Sequence, residues 1–245
     1  MKVKGASQIP SNCDYANANL LKKPDGYYLK VTCYLDKDKT DEQRTNGKEI
    51  GIDFGIKTNI TTSKGEKINV SVEESERLKK LQRKISRQKK GSNNRYKTIK
   101  KIRREYQKLS NKKKDKANKI VHMLKQYDTI VIQDEQIASW KKINGMSKTV
   151  QHSCMGMVKS KLMKLDNVIV LDKYIPTTKW CPCCHKTNEL TLNDRIYKCG
   201  CGYSQDRDIH AAQNMLNIAH LVIGKTLVPT EHREVKREEF VNYEH

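Results

Sequence analysis

The chain has 245 residues, of which 49 are lysine or arginine and 28 are aspartate or glutamate, so its formal net charge is +21. A charge of this size and sign indicates a polyanionic partner, most simply a nucleic acid. Aromatic residues make up only 6% of the chain, which favours contact with the phosphate backbone over stacking on unpaired bases. The sequence shows neither a signal peptide nor an apolar run that could cross a membrane, so we expect a cytoplasmic protein without a membrane partner.

The first clear secondary-structure signal is a strand over residues 26–35, where apolar and polar residues alternate. The residues before about 19 show no periodicity and are expected to be irregular. A polar, charged loop is expected over residues 36–48. The next apolar segment, 50–63, continues through a turn at Lys64 and Gly65 into residues 67–70, which predicts a β-hairpin.

Asp53 lies in the middle of the apolar 50–63 segment, between Gly51 and Gly55. A buried strand rarely holds a carboxylate unless something pairs with it. Glycines on both sides allow another backbone or a phosphate to come close. Asp53 is therefore either a metal ligand presented from the first strand of a sheet or an ordinary turn aspartate, and this segment does not decide between the two.

Helical periodicity replaces the strand pattern from residue 72 to residue 128, and the Gly91–Asn94 segment interrupts it. This pattern predicts an antiparallel helical hairpin. A basic run is usually only a solvated face, but few acids are interleaved here, which favours contact with a nucleic-acid backbone. The residues we assign to this contact are Lys80, Arg83, Arg87, Arg103 and Arg104.

A short buried strand is predicted over residues 128–135, and it ends in Gln133, Asp134 and Glu135. Ligands bind beyond the carboxyl ends of strands in open α/β sheets. By the two-residue period, Gln133 and Glu135 share one face and Asp134 lies on the other. An amphipathic helix over 147–164 and a second buried strand over 167–172 are expected to follow.

Two short cysteine knuckles, 181–184 and 199–201, are separated by about a dozen residues that include a strand-like 191–197 segment. This spacing is typical of a zinc ribbon, because each knuckle supplies two thiolates to a tetrahedral ion. A disulfide framework is the alternative, and it is disfavoured because cysteines this close together cannot usefully bridge each other. Cys13, Cys33 and Cys154 stand alone and are expected to be inert packing thiols.

Asp208 begins the last predicted helix, which extends to about residue 223 and has a small apolar face. A carboxylate there suits the helix dipole and can be directed at a cation. An ordinary N-cap is the competing interpretation. The remaining residues, 226–245, are expected to form a charged tail with little order.

The three carboxylates together resemble the layout of an RNase H-like, RuvC-type nuclease. The chain over about residues 26–225 resembles the TnpB family of transposon-encoded RNA-guided endonucleases, which are relatives of the type V CRISPR effectors. The 51–55 segment (Gly-Ile-Asp-Phe-Gly) looks like the first motif of that family, and 176–182 (Pro-Thr-Thr-Lys-Trp-Cys-Pro) looks like its entry into the zinc ribbon. Cys201-Gly202-Tyr203, followed by Asp206-Arg207-Asp208 and Ala211-Ala212, is similar to the third motif.

Three features depart from the family pattern. Members usually carry a recognition lobe and a β-barrel wedge before the first nuclease strand, so we expect this chain to be truncated at its N-terminus. An ungapped comparison puts Gln133 where the family has a glutamate; Glu135 could serve instead, with Asp134 as the other possibility. The second knuckle is one residue tighter than usual and Cys183 is an extra thiol, while His185 is more readily a bystander. The zinc ligands are thus expected to be Cys181, Cys184, Cys199 and Cys201.

The resemblance implies an α/β fold, namely an RNase H-like (RuvC-type) nuclease domain with a basic helical-hairpin insertion and an inserted zinc ribbon. Residues 1–48 would be the remnant of a β-rich wedge, 49–176 with 204–225 the nuclease domain, 72–128 the hairpin insertion and 177–203 the zinc ribbon. The implied catalytic residues are Asp53, Glu135 and Asp208.

The expected function is a transposon-associated, RNA-guided, metal-dependent DNA endonuclease. Its cofactors would be structural Zn²⁺ and catalytic Mg²⁺ or Mn²⁺, and its partners DNA and a guide RNA. Two alternatives stay open. One is a truncated nucleic-acid-binding remnant with a zinc ribbon and little or no cleavage; the other is a zinc-ribbon DNA-binding protein unrelated to nucleases.

Overall fold

A computed structural model describes residues 4–35, 47–191, 193–224 and 233–241. The described residues divide into two compact units. The first unit combines the residues up to 35 with Glu74–Asn111, and the second combines residues 47–73 with the chain from Lys112 onward. No helix in the described part of the chain has both the length and the apolar character of a membrane span.

The first unit contains a two-stranded antiparallel sheet of β1 (Asp14–Lys23) and β2 (Gly26–Tyr34). Strand β2 was predicted, whereas β1 was not, because the expectation of an irregular start up to residue 19 was wrong. Most side chains of β1 are exposed, so the strand carries no buried alternation that a sequence pattern could reveal. The predicted loop over 36–48 lies outside the described residues as far as residue 46.

The helices of the first unit are α1 (Glu76–Ser86) and the N-terminal part of α2 (Asn93–Leu124). Ser75 caps α1 by accepting the backbone N–H of Leu78, which satisfies one of the unpaired donors of the first turn. Contacts between α1 and α2 join residues near the start of one helix to residues further along the other. They connect Ser75 with Glu105, Gln82 with Tyr106, and Arg95 with the carbonyl of Ile85. The two helices are therefore antiparallel, and their status as an insertion stays a prediction.

The second unit is built on a six-stranded mixed sheet with the order β10-β7-β6-β3-β4-β5. Strands β3, β6, β7 and β10 are parallel, and β4 and β5 continue the sheet antiparallel to their neighbours. The bounds are β3 (Glu49–Phe54), β4 (Ile60–Thr62), β5 (Lys67–Ile68), β6 (Thr129–Gln133), β7 (Val168–Leu171) and β10 (Arg233–Val235). A further antiparallel pair consists of β8 (Ile196–Lys198) and β9 (Ser204–Asp206).

Both faces of this sheet are covered. One face packs against the C-terminal half of α2, α3 (Ser147–His152) and α4 (Met155–Leu162), and the other packs against α5 (Arg207–Ile223) and α6 (Arg237–Val241). Along β6, Ile130 and Ile132 belong to the first core and Val131 to the second. Because its strands are buried on both sides, the sheet reads as continuous apolar runs in the sequence.

Three predicted elements differ in detail from the structure. The 50–63 segment is not one strand, because the chain turns after Phe54 and returns as β4; the second turn, at Lys64 and Gly65, is where it was predicted. The 147–164 helix is two helices, since Ser153 forms a bridge with Ser71. The tail is more ordered than expected. Strand β10 pairs with β7, and Phe240 is buried, while 225–232 and 242–245 lie outside the described residues.

Candidate functional site

Asp53 is positioned by a close approach between β3 and α5. A Cβ atom added at Gly51 would lie 2.0 Å from the carbonyl oxygen of Ala212, so only glycine allows the helix to sit this close. Asp53 lies on the same face as Gly51, two residues or about 6.6 Å further along the strand. Asp208 lies one helical turn before Ala212, a distance of about 6 Å. Asp53 and Asp208 therefore lie at similar distances along β3 and α5 from the contact between Gly51 and Ala212.

The first turn of α5 contains two aspartates with different environments. Asp206 is the N-cap: its side chain accepts the backbone N–H groups of Asp208 (3.1 Å) and Ile209 (3.2 Å), and it pairs with Lys67 of β5 at 2.8 Å. Asp208 is thus not the cap, and this leaves its carboxylate available for another role. Its nearest ion-pair partner is the guanidinium of Arg207, at 3.7 Å.

The third acid, Glu135, follows the carboxyl end of β6, the neighbouring parallel strand. The pKa of Asp53 is raised well above its usual value, first by burial and then by the negative charges of Asp208 and Glu135, while Arg207 acts in the opposite direction. Burial also raises the pKa of Glu135, and the Lys159 ammonium opposes that rise. The charges of Asp208 and Glu135 therefore both act on Asp53, and a bound cation would relieve this repulsion.

Gln133, which the sequence comparison expects at the position of the family's glutamate, has a structural role. Its buried amide donates to the carbonyls of Asp172 (3.0 Å) and Ile175 (2.8 Å), and it accepts the hydroxyl of Thr177 at 2.8 Å. These bonds tie the end of β6 to the segment that leads into the cysteine module. Asp134 instead pairs with the ammonium of Lys159 at 2.6 Å. Of the three polar residues at this strand end, Glu135 is the one whose charge acts on Asp53.

The three carboxylates are spread more widely than the ligands of a single ion. Among the described residues, the acids do not form a group whose ligand atoms all lie within 4.8 Å of one another, as the four cysteines do.

The four predicted cysteine ligands converge on one point. The sulfur atoms of Cys181 and Cys201 lie 3.7 Å apart, and those of Cys184 and Cys199 lie 3.5 Å apart. A zinc ion at about 2.3 Å from each of four tetrahedral sulfurs would hold them about 3.8 Å apart. The cluster, which we call the four-cysteine cluster, therefore has the dimensions to hold a metal ion such as zinc.

Backbone N–H groups point at three of these sulfurs. The donors are Lys186 for Cys184, Cys201 for Cys199 and Tyr203 for Cys201, and each bond opposes the effect of burial on the pKa of the thiol that it contacts. The pKa of Cys199 falls to about 6, whereas burial and the neighbouring cysteine side chains leave the pKa of Cys184 raised and that of Cys201 raised to about 12. Such bonds favour the thiolate, which is the form that binds a metal.

Two nearby residues of the cysteine module lie outside the cluster. Cys183 is exposed. The ring of His185 stacks on that of Trp180 with a centroid distance of 5.3 Å, and its backbone adopts a positive φ of 59°. The histidine is thus positioned as a packing residue beside the knuckle.

His210 and Asn214 of α5 join that helix, which also carries Asp208, to the cysteine module. Sequence patterns did not reveal either residue. The ring of His210 is fully buried and stacks on Tyr197 at a centroid distance of 3.8 Å. Burial lowers the pKa of His210 to about 4, so the ring is neutral at physiological pH. One turn later, the amide of Asn214 donates to the backbone carbonyls of Thr177 and Trp180, both at 2.7 Å. We call this pair the α5 clamp.

The basic residues assigned to nucleic-acid contact in the first unit are exposed, but some basic side chains of this unit also bind within it. All five residues assigned to nucleic-acid contact are exposed. Arg104 also donates to the backbone carbonyl of Pro24 at 3.4 Å, and Arg95 is used internally, since it binds the carbonyls of Ile85 and Gln88. The buried Glu105 pairs with Lys108 at 3.1 Å. The face that stays available for phosphate is therefore smaller than the count of basic residues suggests.

Two family models match separate parts of the chain. The family model described as "Probable transposase" matches residues 31–144, and the model "Cas12f1-like, TNB domain" matches residues 155–215. A protein of Streptomyces pristinaespiralis named "Putative RNA-guided DNA endonuclease" is 32% identical over 177 residues, which cover 68% of this chain and 44% of the relative. The chain belongs to the TnpB family.

A second relative is the "Putative RNA-guided DNA endonuclease InsQ" of Escherichia coli K12. It is 24% identical over 214 residues, which cover 77% of this chain and 53% of the relative. The chain thus spans about half the length of the curated relatives that it matches. The two family models also divide the candidate sites: the first contains Asp53 and Glu135, and the second contains the four-cysteine cluster and Asp208.

Proposed function

We propose that this chain carries the nuclease centre of a transposon-associated, RNA-guided DNA endonuclease with an RNase H-like, RuvC-type fold. The observation that carries the proposal is that Asp53 and Glu135 lie on or just after neighbouring parallel strands while Asp208 lies on the helix packed against β3, so that the charges of Glu135 and Asp208 act on Asp53. The names of the relatives support DNA as the substrate and RNA as the guide. The sheet supports the fold, because it begins with three antiparallel strands and continues with parallel ones.

The proposed roles follow from position. Asp53, the central acid, would help to hold both of two divalent cations, while Glu135 and Asp208 would each help to hold one of them. Mg²⁺ or Mn²⁺ bound there would activate a water and stabilise the leaving oxygen of a phosphodiester. All-oxygen ligands suit Mg²⁺. The raised pKa of Asp53 supports this assignment, because ligand carboxylates gathered without their cations are expected to resist full ionisation.

We further propose that the four-cysteine cluster holds a structural zinc ion and that the exposed arginines of α1 and α2 bind the nucleic-acid backbone. All four zinc ligands would be protein thiolates, which leaves no open position for a reactive water. The zinc would thus stabilise the 177–203 module, and the α5 clamp would attach that module to the helix that presents Asp208.

The test is cleavage of DNA by the chain together with the RNA that copurifies with it, in Mg²⁺ or Mn²⁺. Asp53→Ala and Asp208→Ala should each abolish cleavage and leave DNA binding largely intact, because each acid positions a cation that acts on the transition state. Asp166→Ala, which removes an exposed carboxylate before β7, is the matched control and should cleave normally. Activity retained in Asp53→Ala would refute the proposed site.

Glu135→Gln tests the choice among the three polar residues at the end of β6. Lost cleavage supports Glu135 as the third catalytic acid, whereas retained cleavage would mean that Asp134 or another residue is the third acid. A chain that binds DNA and zinc but neither cleaves DNA nor binds Mn²⁺ would instead support the alternative of a nucleic-acid-binding remnant. Gln133 is the observation that favours this alternative, since the family has a glutamate in its place.

A further inference from the structure

A lysine lies on the buried side of α4, close to the proposed metal centre. Lys159 is only 9% exposed, and its neighbours on the inward face of the helix are Met155, Val158 and Leu162, all fully buried. An ammonium group in such a place is strongly destabilising unless it is paired and hydrogen-bonded. Its partners therefore indicate why a lysine occupies a core position.

The two partners of Lys159 belong to the turn that follows β6. The ammonium donates to the carboxylate of Asp134 at 2.6 Å and to the backbone carbonyl of Glu135 at 2.8 Å. The same carbonyl accepts the N–H of Ile137 at 2.9 Å, and the N–H of Glu135 donates to the carbonyl of Gln133 at 2.8 Å. Both polar backbone groups of Glu135 are thus engaged, and Lys159 is the one partner that comes from a different element.

We infer that Lys159 is a positioning residue that holds the backbone of Glu135 so that its carboxylate is directed at the cation site shared with Asp53. This inference rests on the proposed function. The lysine binds the carbonyl of Glu135 and the neighbouring carboxylate of Asp134, which leaves the carboxylate of Glu135 for the cation. Outer-shell groups of this kind orient the ligands of a metal, and their loss typically weakens binding by about 10-fold or more.

If Lys159 acted only through its charge, its removal would strengthen cation binding. A positioning role predicts weaker binding, so the two roles can be distinguished by experiment. The charge of Lys159 acts on the Glu135 carboxylate, so it also repels a cation bound there. Removal of that charge alone should strengthen cation binding. The loss of Lys159 also removes a charge that lowers the pKa of Glu135, so a proton competes better with the cation. A weaker affinity that persists as the pH is raised therefore indicates a change in the position of the ligand.

The experiment measures Mn²⁺ binding to the zinc-loaded chain by the electron paramagnetic resonance signal of the free ion. Lys159→Met keeps the approximate volume of the side chain and is expected to weaken binding about 10-fold. Lys161→Met removes the same charge from the same helix without contact to the turn, and its affinity should be unchanged or slightly higher. Lys159→Gln is a second variant with an uncharged donor; it is expected to fall between the unchanged chain and Lys159→Met.

Thermal unfolding verifies that each variant is folded at the temperature of the measurement, and Lys159→Gln decides the question if Lys159→Met is not folded. Binding as tight as, or tighter than, that of the unchanged chain in the folded Lys159 variants would overturn the positioning role. An equal loss in Lys161→Met would overturn it too, because the effect would then not depend on the turn. If the unchanged chain and Asp53→Ala bind Mn²⁺ equally, the proposed metal centre itself is wrong.

Discussion

Gly51→Ala tests the contact that brings the two aspartates together. The added Cβ would lie 2.0 Å from the carbonyl oxygen of Ala212, and real Cβ atoms are essentially never closer than 3.0 Å to such an atom, so β3 and α5 must separate by about 1 Å. Overpacking of this kind costs about 1–3 kcal/mol. Alanine recovers about 0.4–1 kcal/mol of this through the lower entropy of the unfolded chain, because the backbone at Gly51 has no positive φ.

The midpoints of these two ranges leave a net loss of about 1.3 kcal/mol, which corresponds to a melting temperature lower by roughly 3–5 °C for a chain of this size. Differential scanning calorimetry of the zinc-loaded protein measures this shift. The same displacement moves Asp208 away from Asp53, and a 1 Å misplacement can cost about 100-fold in activity. Mn²⁺ binding should therefore weaken together with the melting temperature.

Gly156→Ala is the control for this substitution. Gly156 lies in α4 with no atom within 4 Å of an added Cβ and with no positive φ. There alanine should stabilise the helix by up to about 1 kcal/mol and raise the melting temperature by about 2–4 °C. A melting temperature of Gly51→Ala at or above that of the unchanged chain would refute the tight contact between β3 and α5.

Removal of the metal from the four-cysteine cluster with a chelator should unfold the 177–203 module, since structural zinc contributes on the order of 10 kcal/mol; metal analysis that finds less than about half a zinc per chain would contradict this. Neutralising Arg83, Arg87, Arg103 and Arg104 together should flatten the slope of log K against log salt by roughly 0.9 per lost phosphate contact, and an unchanged slope would exclude these residues as the contact. Asp53→Asn should raise the melting temperature of the cation-free chain at pH 7.5, because the raised pKa of Asp53 means that its stabilising protonated form is lost as pH rises through the folded value. This gain should vanish below about pH 4, and a melting curve at pH 7.5 that does not respond to the substitution would contradict it.

Local patterns predicted much of the fold because they depend on neighbours in the chain. Apolar runs predicted β6 and β7, since strands buried on both faces carry no alternation. The period of the basic segment predicted α1 and α2, and the Gly91–Asn94 interruption predicted where they separate. The paired knuckles predicted the four-cysteine cluster, because two ligands of each pair are already close in the sequence. Strand β1 was missed because its exposed side chains leave no pattern.

The sequence by itself determined which residue types are available at the candidate site, and the tertiary structure decided their partners. The contact of Gly51 with Ala212 brings Asp208 to Asp53, Asp206 takes the cap of α5, and distant backbone carbonyls occupy the amide of Gln133. In the sequence, Lys159 is not distinguished from the other basic residues; only the structure shows its partners in the turn after β6. Each of these choices depends on groups that are far apart in the chain, so no local period or spacing encodes them.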